Sequence, residues 1–196
     1  MATYIIMAVI AYFIGSINFS VIIGRKMAGI DVRQEGSGNA GSTNVLRTIG
    51  LKAALLTLIC DILKGVIAIL VALLIGNIVK NIDRALLVQL AGIFVILGHT
   101  FPIFFEFKGG KGVATALGVL LMSNWEIGLI CLVFALVIII ASRMVSMGAV
   151  GAAILFPVLT LFMNDNFVVA ASGMKYFIYS LILALIVIFN HRENIK

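Results

Sequence analysis

Residues 53–75 read AALLTLICDILKGVIAILVALLI. The stretch carries two charges, Asp61 and Lys64, and no proline. A helix that crosses the hydrocarbon of a bilayer needs about 20 mostly apolar residues, and this one has them. The rest of the chain follows suit. It is 63% hydrophobic and 11% charged, with a mean hydropathy of +1.23, whereas soluble domains run nearer one half apolar and one quarter charged. The 196 residues are therefore read as one all-α polytopic membrane domain, 1–196. The net charge of +6 does not point to nucleic acid, because the cations are few and dispersed. It points to a membrane orientation signal or an anionic ligand.

Working outward from 53–75, further apolar segments lie at about 3–23, 85–105, 112–122, 126–141, 145–163 and 174–190. This predicts about seven transmembrane helices, the fourth and fifth short or tilted and joined by a tight turn at Asn124 and Trp125. Counting cations tests the number. Seven spans put Arg25, Lys26, Arg33, Arg47, Lys52, Lys108, Lys111, Arg143, Arg192 and Lys196 on one side, and only Lys80, Arg84 and Lys175 on the other. The positive-inside rule then places the N-terminus outside and the C-terminus in the cytoplasm. MATYIIMAVI lacks a basic leader, so no cleavable signal peptide is expected. Cys60 and Cys131 fall inside apolar runs and read as small buried hydrophobes.

Three polar stretches now share the cytoplasmic face. In GSGNAGSTN, residues 36–44, Gly36, Gly38 and Gly41 offer the freedom to turn backbone N–H groups toward one anion, and Ser37, Asn39, Ser42, Thr43 and Asn44 offer donors. Thr43 or Asn44 could cap a helix starting near Val45, with Arg47 in its first turn. A cation there opposes the helix dipole, which an anionic partner would explain. A plain capped loop is the competing reading. In FEFKGGKGVAT, residues 105–115, Lys108 and Lys111 flank Gly109 and Gly110. Lys111 is followed by Gly112, so this is no Walker A loop. The alternatives are a phosphate site and a pair of snorkelling lysines. In HRENIK, residues 191–196, His191 could be a general base, a hydrogen-bond donor or an interfacial residue, with Asn194 at i+3 on its face. His99 reads as a structural hydrogen-bonding residue with substrate contact as the alternative. Arg143 lies on the same face. No metal-ligand spacing occurs.

Familiar catalytic patterns are missing. The fifth positions after His99 and His191 hold Phe104 and Lys196, so the H-x-x-x-x-D acyltransferase pattern is absent. There is no G-x-S-x-G elbow. Asp61 and Lys64, charged and inside a span, are the best sign of a rival class, a small anion or phospho-metabolite transporter.

GSGNAGSTNVLR, GHTFPIFFEFKGGKGVAT and HRENI, in that order, resemble the three motifs of the PlsY family of bacterial membrane-integral, acyl-phosphate-dependent glycerol-3-phosphate acyltransferases. Gly15-Ser16 and Asp61-x-x-Lys64-Gly65 fit as well, so the resemblance covers essentially the whole chain. It implies transfer of a fatty acyl group from acyl phosphate to the 1-hydroxyl of sn-glycerol 3-phosphate, giving lysophosphatidic acid and phosphate at the bacterial cell (inner) membrane. No cofactor and no metal are implied, and the chain is expected to act as a monomer. Carried over by residue, the resemblance implies Lys111, Ser37 and His191 as the catalytic set. Ser37 and its neighbouring glycines would hold the acyl-phosphate group, Arg47 and His191 glycerol 3-phosphate. Lys111 would bridge the two phosphates, Asn194 would donate to a phosphate oxygen, and Lys108 would assist.

Overall fold

The computed structural model describes residues 1–163, 167–169 and 173–195, all helix, turn or loop with no strand among them. The first apolar segment is not one rod. Helix α1 (Ala2–Ser16) ends in an extended residue, Ile17, and α2 (Phe19–Ala28) restarts with Asn18, whose side chain accepts from the Val21 amide. A short α3 (Ser42–Thr48) follows, then α4 (Leu51–Ile78), α5 (Arg84–Thr100), a 3₁₀ turn at Ile103–Phe105, α6 (Val113–Ser123), α7 (Trp125–Ser142), α8 (Val145–Thr160), α9 (Gly173–Asn190) and a terminal turn, α10 (Arg192–Ile195).

Each predicted apolar segment is thus helical. Five are long and apolar enough to cross a bilayer: α1–α2 taken together, α4, α5 with its 3₁₀ turn, α7 and α9, while α6 and α8 are shorter. The turn between α6 and α7 holds as expected. Asn124 is buried there and caps α7 through the Ile127 amide.

Lipid offers no hydrophobic drive between helices, so small residues that let backbones touch set the packing. A Cβ on Gly15 would strike the Val95 carbonyl, and one on Gly98 the Tyr12 carbonyl, which locks α1 against α5. Gly65 and Gly118 do the same for α4 and α6 against the carbonyls of Thr115 and Ile62. Long side chains instead point outward to lipid, as with Leu74, Ile140 and Leu185.

This packing sets depth. Helix α4 has 28 residues, about 42 Å of helix. His99, at the end of α5, faces Asp61, ten residues along α4 from Leu51. The α5–α6 loop therefore lies about 15 Å below the end of α4, recessed behind α2, α3 and the loop joining them. Asp61 and Lys64, about halfway along α4, lie beneath that loop.

Candidate active site

The 29–41 loop is held by one side chain. Asn44 is buried; its Oδ1 accepts from the Ser37 amide at 2.9 Å, and its Nδ2 donates to the carbonyls of Val32 (2.7 Å) and Glu35 (3.0 Å). Gly36 and Gly38 sit at φ 60° and 70°, a region costly for residues with a Cβ. Gly41 is extended and is the N-cap of α3, which begins at Ser42. Thr43 and Asn44 therefore lie inside α3 and do not cap it. Arg47 falls in its last turn, not its first, where the dipole favours a cation. The amides of Ser37, Gly38 and Gly41 are bonded to Asn44 Oδ1, Glu35 O and Asn39 O, so these three are not open to an anion. What the loop presents is the exposed Ser37 and, beyond it, Arg47.

The second loop uses its glycines differently. The amides of Gly109 and Gly110 bond the carbonyls of Thr100 and His99, each at 3.1 Å. A Cβ on Gly110 would collide with His99 Nε2 and come within 2.6 Å of the Ala40 carbonyl. These glycines serve close approach rather than an anion cradle. Arg33 ties the two loops: it grips Asp31 with two parallel bonds (3.0 and 2.7 Å) and donates to the Phe105 carbonyl at 2.8 Å. That fork holds the Asp31 carboxyl well below the usual carboxylate range.

The third stretch closes over Lys111. Asn190, at the end of α9, donates to Thr100 Oγ1 (3.1 Å) and to the Lys111 carbonyl (3.3 Å). Lys111 Nζ donates to Asn194 Oδ1. Burial pushes the Lys111 ammonium below its ordinary value; Glu193 works against that shift and Arg47 adds to it. His191 is buried, with Nδ1 2.8 Å from the Val187 carbonyl. A carbonyl only accepts, so Nδ1 carries the proton and Nε2 is left as an acceptor. Burial lowers its pKa, Val187 opposes this, and the Lys111 charge lowers it further.

Lys111, Arg47, His191, Glu193 and Asn194 thus form one electrostatically coupled cluster. Other expected residues stand apart. His99 is buried beneath the loop, its ring between Asp61 and Gly110. Lys108 is exposed and faces Glu106 at 3.6 Å. Arg143 is exposed at the C-cap of α7, and among the described residues no hydrogen bond or ion pair joins it to the cluster. Sequence reasoning passed over Asn190 and Arg33. Asn190 had a signal, a polar residue closing an apolar helix immediately before His191; Arg33 had none beyond Asp31 two residues away.

Beside the cluster an apolar groove runs between α6, α7, α8 and α9. It begins at Val113, two residues past Lys111, and at Val187, the partner of His191. Alanines 116, 153 and 184 widen it, and Phe156 lines it farther in.

A cationic pocket at the mouth of an apolar groove suits a substrate with an anionic head and a fatty tail, and the comparisons agree. Residues 5–196 match the glycerol-3-phosphate acyltransferase family. The glycerol-3-phosphate acyltransferases of Clostridioides difficile and of a Thermoanaerobacter species are each 42% identical to this chain, which covers 91% and 90% of them, and 99% and 98% of this chain is matched. Crystal structures of PlsY (YgiH), an integral membrane glycerol 3-phosphate acyltransferase, superpose with TM-scores of 0.83 in the glycerol 3-phosphate form and 0.80 in the lysophosphatidic acid form. Both are 36% identical to this chain and cover 98% of it, which spans 90% and 89% of theirs. Motifs, fold and pocket converge: this chain belongs to the family of membrane glycerol-3-phosphate acyltransferases.

Proposed function

We propose that this protein transfers a fatty acyl group from acyl phosphate to the 1-hydroxyl of sn-glycerol 3-phosphate, releasing lysophosphatidic acid and phosphate. The observation that carries this reading is the position of Lys111: coupled to Arg47, bonded to Asn194, and two residues from the mouth of the apolar groove. Both substrates bring a phosphate to one place, and the groove takes the tail. Ser37, exposed on the 29–41 loop, would hold the acyl-phosphate group.

An acyl phosphate is an activated mixed anhydride, so positioning and charge stabilisation suffice. The glycerol oxygen attacks the acyl carbonyl, the new C–O ester bond forms, and the bond to phosphate breaks. The hydroxyl proton passes to a phosphate oxygen or to solvent. Lys111 shares the charge of the departing phosphate, and Asn194, whose Oδ1 is taken by Lys111, keeps its amide N–H groups for a phosphate oxygen. His191 presents Nε2 as an acceptor, suited to a hydroxyl of the acceptor substrate. Cys131 lines the groove and Cys60 lies in α4, and among the described residues no hydrogen bond joins either thiol to a base, which supports direct transfer without an acyl-enzyme. The scheme uses no cofactor. The cation asymmetry supports a cytoplasmic site in the bacterial inner membrane, where the chain would act as a monomer.

The test is purified protein in phospholipid nanodiscs with labelled acyl phosphate. Phosphate release should require glycerol 3-phosphate, and acyl-CoA should not replace the donor. Without acceptor, acid-quenched protein should show no added mass. A stoichiometric acyl adduct discharged by glycerol 3-phosphate would overturn direct transfer, and activity with acyl-CoA alone would overturn the donor.

A further inference from the structure

Lys64 is 2% exposed; its ammonium donates to the carbonyls of Gly15 (3.0 Å) and Ile17 (2.9 Å) and is ion-paired with Asp61 Oδ1 at 2.9 Å. Those carbonyls are orphans at the end of α1, left without helical partners by the break before α2. Two of its three hydrogens go to those carbonyls, and the charge is matched by Asp61. Asp61, equally buried, balances it and faces His99 Nδ1 at 3.5 Å. Neither atom of that last contact completes a well-directed hydrogen bond, so the attraction is electrostatic. The opposite edge of the ring abuts Gly110, which in turn abuts the Ala40 carbonyl, and the His99 backbone carbonyl holds the Gly110 amide.

A buried ion pair is poor evidence for stability, since desolvation consumes most of its attraction, and register is its better-attested use. Here the pair sits where three separate pieces of chain meet: the α1–α2 break, the turn carrying Lys111, and the end of the 36–40 segment. We propose that Asp61, Lys64 and His99 form a positioning element that sets the Gly109–Lys111 turn against the Ser37 loop, with His99 the piece that transmits the register. None of the three touches substrate. The inference rests on the reading of Lys111 given above, and one of its readouts does not depend on activity.

The experiment uses the full chain in nanodiscs. His99→Ala, His99→Asn, the neutral pair Asp61→Asn with Lys64→Met, and Asp83→Asn as an ion-pair control at the far end are compared. Asparagine keeps a nitrogen near the Nδ1 position, facing Asp61. Hydrogen exchange of the peptide covering 108–112 should rise about tenfold in His99→Ala and return to near wild type in His99→Asn, with α9 unchanged. Turnover should fall tenfold or more in His99→Ala and in the neutral pair, while KM for glycerol 3-phosphate changes less than threefold; His99→Asn should recover to within threefold, and Asp83→Asn should stay within twofold. All variants are assayed at least ten degrees below their melting points. Unchanged exchange at 108–112 in His99→Ala overturns the proposal, as does equal loss of turnover in the alanine and asparagine variants. If wild type lacks acyl transfer, the functional reading fails, and the exchange pattern still decides the positioning role.

Discussion

The two glycine-rich loops look alike as strings of letters and are built on different physics. In the 36–44 loop, glycine supplies conformation: Gly36 and Gly38 take positive φ, and Asn44 staples the resulting turn. In the 109–112 loop only Gly112 takes a positive φ, at 84°; Gly109 and Gly110 supply space, letting the chain lie against His99, Thr100 and Ala40. The first loop is held from within by a side chain. The second is held from below, by the end of α5. Strain is local and modest when conformation is the reason, whereas a collision with backbone propagates when space is the reason.

The largest expected effect tests what the second loop presents. Lys111→Ala should lower turnover a hundredfold or more, with the melting point in detergent within a few degrees of wild type. Near-normal turnover would return Lys111 to a snorkelling role. Asn44→Ala comes next. It strips partners from one amide and two carbonyls; the Val32 carbonyl is buried, and such an orphan costs about 1–3 kcal/mol, so with the two part-buried bonds lost as well a loss on the order of 2–4 kcal/mol is expected by thermal or denaturant unfolding. Asn44→Asp, which keeps the acceptor for the Ser37 amide and loses both donors, should recover only part of it. A milder Asn44→Ala would mean that the loop is not stapled as described.

Gly110→Ala should cost about 1–3 kcal/mol, the usual range for overpacking, and should also lower turnover, because relief of the clash must move Lys111 or Ala40. Stability lost without turnover would sink the idea that this glycine sets the site. The smallest effect is Gly38→Ala. Its φ of 70° is unfavourable, but only the Arg33 carbonyl lies near a new Cβ, at 3.4 Å. A cost of about 1 kcal/mol is expected, with turnover within twofold. If Gly38→Ala proves worse than Gly110→Ala, the division into conformation and space is reversed.

Much was legible in the amino-acid order. A polypeptide in lipid must satisfy its backbone internally, so seven apolar segments could only become helices, and they did. The three polar motifs, gathered at one end by parity, contain Lys111, Arg47, His191 and Asn194, which the fold brings together. Tertiary structure alone decided the rest. Pattern cannot separate a glycine needed for positive φ from one needed for room, since both are the absence of a Cβ; only the neighbouring atoms tell. Arg47 changed from the first turn of α3 to the last because Gly41, with no side chain to cap, began the helix three residues before Val45. His99 proved to lie between Asp61 and the Gly110 turn, a placement set by how α5 packs and invisible along the chain. Asp61 and Lys64 read as mid-span charges and do lie about halfway along α4; only the packing shows that the shorter α5 ends beside them, so that His99 and the α5–α6 loop meet them there. Periodicity and composition specify where a helix lies along the chain, and the steric fit between helices specifies the height at which it meets its neighbours.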